Sequence, residues 1–159
     1  AMGCGLGEMA IGITLKSKKL DEAKRPALTA AHKSLGEMRA TFDRLTKDDA
    51  EAFDRFMEAM SLPKDDASRP AKMQAALLHA AEVPLKTAQI SAGALAVAKQ
   101  AAPLAGAAVA SDINCALHLL KAAAQCAAEN VRINIGGLKD ATAAKELESR
   151  LEKTLAACA

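Results

Sequence analysis

The chain has 159 residues, enough for one domain with a hydrophobic core. Its 21 basic and 19 acidic residues leave a net charge of +2, which excludes the strongly basic profile of a nucleic-acid-binding protein. Trp and Tyr are absent and Phe occurs three times, which excludes a sheet core built on aromatic side chains; Ala, Leu, Lys and Glu dominate, and these favour helices. The expected class is all-α, with residues 1–159 forming a single domain.

The first element opens at once. Met2, Leu6, Met9 and Ile13 form a helical stripe, with Gly3, Gly5, Gly7 and Gly12 among them. Each glycine costs an isolated helix about 1 kcal/mol relative to Ala. Four of them predict a buried helix whose neighbours approach closely. A basic, polar stretch from Lys16 to Arg25 follows. A long helix is expected from Pro26, a good first-turn residue, carrying Leu28, Leu35, Met38, Phe42 and Leu45 on one stripe and continuing through Phe53, Phe56 and Met60. A bend is expected near Lys47.

Leu62 to Asp66 reads as a break, and Ser68-Arg69-Pro70 as a new start. Met73, Leu77, Ala80, Pro84 and Ala88 carry the apolar face, with a kink expected at Pro84, which has no N–H for the carbonyl of Ala80. Ser111 reads as the N-cap of a helix that ends near Ile135, before Gly136-Gly137. The last helix starts near Asp140 and places Leu147, Leu151 and Leu155 on one face, with Glu146 and Arg150 spaced for a surface pair.

A core of Ala and Leu buries little area per residue, at about 25 cal/mol per Å². Burial against a second copy of the chain is therefore expected. The four cysteines show no CxxC or Cys/His spacing, and no histidine lies at metal-ligand spacing, so reduced thiols, no metal and a cytoplasmic setting are expected. Glu8, Lys16, Asp112 and Lys121 interrupt the apolar stretches, and none reaches the ~18 residues of a membrane span.

Polar residues on apolar stripes are the candidates for chemistry. Asp49 falls near the centre of the stripe made by Phe42, Leu45, Phe53 and Phe56, so its carboxylate faces the core or a cavity. A local backbone N–H or a lysine would satisfy it equally well. Asp112 shares a face with Ala116, Leu119, Asn130 and Asn134, although an acidic residue in a first turn is also favoured by the helix dipole. Asn130 and Asn134, four apart, point the same way; they suit a polar ligand or a hydrogen-bonded bridge between helices. Asp112 and Asn130 lie 18 residues apart, roughly 27 Å along a helix. They meet only if the helix breaks or if antiparallel copies pair across a two-fold axis. Lys16, Lys18, Lys19, Lys24 and Arg25 form a basic cluster that suits an anionic tail or an ordinary solvated surface.

Several strings converge on one family. Asp49-Ala-Glu-Ala-Phe53, Glu58-Ala-Met-Ser-Leu-Pro-Lys64, Val83-Pro-Leu85, Ser111-Asp112 and Asn130-Val-Arg-Ile-Asn134 occur in an order that resembles the formiminotetrahydrofolate cyclodeaminase domain. They equally resemble its stand-alone relatives, the methenyltetrahydrofolate cyclohydrolases. The resemblance covers nearly the whole chain. It implies an up-and-down bundle of about five helices that dimerises through helix faces, with a folate cleft. It implies one of two reactions: addition of water to the N5–N10 methenyl bridge, or closure of the formimino group with release of ammonia. Neither needs a metal or redox cofactor beyond the tetrahydrofolate substrate itself. On this resemblance Asp112 and then Asp49 are the acid/base candidates. Asn130 and Asn134 would orient the pterin, and Lys18 and Lys19 would meet a glutamate or polyglutamate tail. The family pattern also places a Pro-Gly-Gly-Gly-Ser stretch ahead of the first core helix, and residues 1–159 begin after it. A non-catalytic helical dimer is the reading from a different class.

Overall fold

The computed structural model describes residues 1–159 and contains five α-helices and no strand. They are α1 (Met2–Leu15), α2 (Arg25–Ser61), α3 (Arg69–Ala101), α4 (Ala110–Ile135) and α5 (Ala141–Ala156), with single 3₁₀ turns at Glu22–Lys24, Ala102–Leu104 and Ala107–Val109. The expected class and helix order are borne out. Two starts differ in detail. Asp140 caps α5 by accepting hydrogen bonds from the Thr142 and Ala143 amides at 2.9 and 3.1 Å. By contrast α4 begins one residue before Ser111, behind Val109, with no side-chain cap. The preceding 3₁₀ turn feeds the chain directly into the helix and takes over the role expected of Ser111.

The buried positions of α2 are Leu28, Leu35, Phe42, Leu45, Ala52 and Ala59, spaced by seven, seven, three, seven and seven. That is a seam turned continuously toward its neighbours. α2 packs on α3, α3 on α4, and α1 against both α2 and α4. Gly7 and Gly12 of α1 approach Leu35 and His32, so α1 and α2 run antiparallel. Gly3 meets Leu120 and Gly7 meets Ala116, so α1 is antiparallel to α4 as well.

The first helix is therefore buried, as its glycines predict, but by the opposite face. Gly3, Cys4, Gly7, Ala10, Ile11 and Thr14 turn inward. Met2, Met9 and Ile13 remain 76%, 47% and 49% exposed. Small residues let the α1 backbone sit close to α4, and the large side chains are left on the outer flank.

α1 borders a cleft with the residue at its start, Ala1. It lies between α2 and α4 along one half of the bundle, over a core that includes Leu28, Leu35, Phe42, Leu95, Ile113 and Leu120. Next to Ala1, side chains of α2, α3 and α4 line the cleft together. On the opposite side of α3 and α4, α5 closes a second core of Ala81, Leu85, Ala88, Ala127, Ala128, Val131, Leu147 and Leu151. Arg150 does not pair with Glu146. Its guanidinium grips the Glu82 carboxylate of α3 in two bonds of 2.9 and 3.2 Å. Two charge-assisted bonds to one carboxylate tie α5 to α3. That bond raises the affinity of Arg150 for its proton. No helix is long and apolar enough to cross a membrane.

Candidate active site

Beside the start of α1, α2, α3 and α4 line an open cleft of 350 Å³. That volume lies in the range of small-molecule sites. α2 supplies Phe42, Leu45, Thr46 and Asp49; α3 supplies Pro84 and Thr87; α4 supplies Ala123, Cys126, Ala127 and Asn130; Ala1 stands at its edge. The helical periods explain the set. Thr46 and Asp49 are three apart, Cys126 and Asn130 four apart, so each pair points from one face of its helix.

Asp49 borders this open cleft, and its side chain, like those of Thr46, Cys126 and Asn130, is exposed to solvent. It has no cationic partner within salt-bridge distance. The Thr46 hydroxyl donates to the Phe42 carbonyl at 3.0 Å and the Thr87 hydroxyl to the Val83 carbonyl at 3.2 Å. Each threonine thus keeps lone pairs available as acceptors. The donors on the walls are the Asn130 amide and the Cys126 thiol. One carboxylate, one amide and an apolar floor can hold a flat heteroaromatic ring and exchange a proton with it. No group of three or more His, Cys, Asp or Glu side chains gathers as a metal site.

The other candidates lie elsewhere. Asn134, one turn beyond Asn130, donates its amide N–H to the Ala80 carbonyl at 2.7 Å. It serves the helix-bridging alternative. Asp112 sits half-buried in the first turn of α4, and that helix is unbroken from Ala110 to Ile135. The roughly 27 Å between Asp112 and Asn130 therefore stands within one protomer. Lys18 and Lys19 are exposed beyond the end of α1, opposite the cleft. Lys19 and Lys24 border a different cavity of 390 Å³ with Thr14 and the 104–109 segment. There the Thr14 hydroxyl donates to the Ala10 carbonyl and accepts from the Gly106 amide, both at 3.1 Å. A further cleft of 480 Å³, with Arg55, Glu58, Lys72 and His79 on its walls, contains none of the candidates.

The sequence reading passed over Thr46, Thr87 and Cys126. Thr46 and Cys126 were within reach, because each shares a helix face with a residue already singled out. Thr87 required knowing that α3 lies between α2 and α4.

Comparison with known proteins bears on this arrangement. A family model described as formiminotransferase-cyclodeaminase matches residues 1–153. The chain belongs to this family. It is 36% identical to a methenyltetrahydrofolate cyclohydrolase of Methylorubrum extorquens over 98% of this chain and 76% of that protein. It is 32% identical to a formimidoyltransferase-cyclodeaminase of Gallus gallus over 88% of this chain, but only 26% of that longer protein. The structure matches a formiminotetrahydrofolate cyclodeaminase of Thermotoga maritima with a TM-score of 0.89 at 29% identity, over 99% of this chain and 76% of that one.

Proposed function

We propose that this protein is a methenyltetrahydrofolate cyclohydrolase working in the cleft between α2, α3 and α4. The observation that carries the reading is that Asp49 and Asn130, from helices far apart in sequence, face one cavity of ligand size. The cyclohydrolase relative, aligned over nearly the whole chain, supplies the chemistry. Water attacks the carbon between N5 and N10. Asp49 accepts the proton of that water as the carbon becomes tetrahedral. It then returns that proton to N5 as the N5–carbon bond breaks, and the hydroxyl on the carbon loses its own proton to solvent as the C=O forms, leaving the 10-formyl product and one released proton. Asn130 holds the ring so that the carbon lies against the carboxylate. The test is to supply methenyltetrahydrofolate and follow loss of its absorbance, and separately to supply formiminotetrahydrofolate and assay ammonia. Turnover of the first alone supports the reading; ammonia release alone overturns it in favour of the cyclodeaminase. That second reading is favoured by the likeness to the Thermotoga maritima structure.

The second part of the proposal is a homodimer. Leu119, 38% exposed, and Ile133, 76% exposed, are the large apolar side chains left on the outer flank of α4. α1 leaves Met2, Met9 and Ile13 exposed in the same way, and apolar side chains left in water suit burial against a partner. Antiparallel pairing of this flank with a second copy would bring the partner's Asp112 and its basic segment toward the Asn130 end. In that arrangement Asp112 completes the site from the partner subunit, and Lys18 and Lys19 meet a glutamate or polyglutamate tail. Mixing inactive D49N and D112N proteins tests it. Heterodimers would carry one intact site, restoring about a quarter of wild-type activity after random reassortment; no restoration would overturn the shared site. The cytoplasm is the proposed setting, in accord with four unpaired thiols.

A further inference from the structure

We propose that Asn134 is a positioning residue, whose amide replaces the helix hydrogen bond that Pro84 removes and so sets the wall of the cleft that carries Asn130. The inference rests on the folate-site reading of that cleft. It starts from a defect in α3. An α-helical carbonyl accepts from the N–H four residues on. For Ala80 that residue is Pro84, which has no N–H. α3 is nevertheless continuous from Arg69 to Ala101, and Pro84 is buried within it. The Ala80 carbonyl is thus left without its ladder partner inside the bundle, where an unmet acceptor is unfavourable.

The missing donor comes from α4. Asn134 Nδ2 lies 2.7 Å from the Ala80 oxygen. The bond spans 54 positions in sequence, joining the C-terminal end of α4 to the middle of α3. Gln74 makes a neighbouring tie, accepting from the Lys139 amide at 2.7 Å and donating to the Gly137 carbonyl at 3.1 Å. The end of α4 is therefore fastened to α3 at two places. The fastening nearest the cleft is Asn134, one turn from Asn130.

Pro84 and Asn130 both line the cleft, so the defect and its repair sit on either side of the same cavity. Proline gives the floor an apolar ring with no competing donor. Asn134 keeps α4 at the spacing that turns the Asn130 amide inward. Loss of Asn134 would be felt at the substrate through Asn130, with no contact of its own.

A mutant cycle tests this on the whole chain. Asn134→Ala is expected to raise KM for methenyltetrahydrofolate about five- to tenfold, the size of one neutral hydrogen bond, with kcat little changed. In a Pro84→Ala background, residue 84 regains its N–H and the Ala80 carbonyl its ladder partner. There Asn134→Ala is expected to change KM less than twofold, each ratio being taken within its own background. An equal loss in both backgrounds would overturn the inference, because Asn134 would then act on the substrate directly. A lowered melting temperature with unchanged KM would overturn it too, leaving a purely structural bond. If Asp49→Asn and Asn130→Ala both leave turnover intact, the site reading fails instead.

Discussion

Two glycines in one helix should respond differently to the same substitution. A Cβ built on Gly3 lies 2.8 Å from Leu120 Cγ, 3.1 Å from its Cδ2 and 3.2 Å from the Ala116 carbonyl oxygen. Leu120 is 2% exposed and cannot swing away, and the carbonyl belongs to the α4 backbone. The corresponding atom on Gly5 meets only Arg39 Cδ, at an ordinary 3.5 Å. Both changes gain the preference of a helix for Ala over Gly, up to about 1 kcal/mol, and less at Gly3 because it lies in the first turn. Gly3→Ala alone incurs overpacking of about 1–3 kcal/mol. The helix preference largely cancels between the variants, so Gly5→Ala should be more stable than Gly3→Ala by that margin. At about 2–4 °C per kcal/mol for a chain of this size, the separation is at least about 2 °C. Thermal unfolding followed by circular dichroism at 222 nm measures it. Gly5→Ala should melt above the parent and Gly3→Ala below Gly5→Ala. Equal stabilisation by both would refute the close approach of α1 to α4.

Three further outcomes follow from the same structure. Cys4 and Cys158 are buried within the chain, so a disulfide-exchange reagent should reach them only after unfolding; Cys126→Ser should protect turnover from inactivation by that reagent, since Cys126 lines the cleft. Leu151, fully buried between α5 and the α3–α4 pair, should cost about 2–5 kcal/mol when replaced by Ala, read as a lower urea midpoint with an unchanged slope. Burial holds the Cys4 thiol above its ordinary 9.0, so above that pH the unfolded chain loses a proton that the folded chain keeps. Stability should therefore be full below pH 9.0 and fall as pH rises through the folded value, and Cys4→Ala should flatten that part of the stability curve.

The helices were legible because helix formers fill the chain and the apolar residues of α2 repeat steadily. The inward face of α1 was not, because the stripe of Met2, Leu6, Met9 and Ile13 is the more hydrophobic one. Close packing selected the glycine face instead, a preference that shows only once α2 and α4 are in place. Within a helix, spacing put Asp49 on the side of α2 that borders the cleft, although its side chain is exposed. The separation of Asp112 from Asn130, both on α4, also followed from spacing alone. Between helices spacing could not say that Asn130 borders the same cleft. The partner of Asn134 was out of reach for the same reason, although half of the clue was present: Pro84 announced an unmet carbonyl at Ala80. The Glu82–Arg150 pair shows the converse, where an i,i+4 glutamate on the same helix was passed over for one on α3 that spacing within α5 could not place.

The central claim is that the Asp49 carboxylate moves the protons of the reaction. The most direct measurement is single-turnover loss of methenyltetrahydrofolate absorbance in the Asp49→Asn protein, with substrate binding measured on the same sample. Asparagine keeps the shape of the side chain and removes its basicity. Binding should stay within a few-fold of the parent, while the rate falls by about 10²–10⁴, the usual worth of a positioned acid/base group. Full activity in Asp49→Asn would contradict the account and return the acid/base role to Asp112.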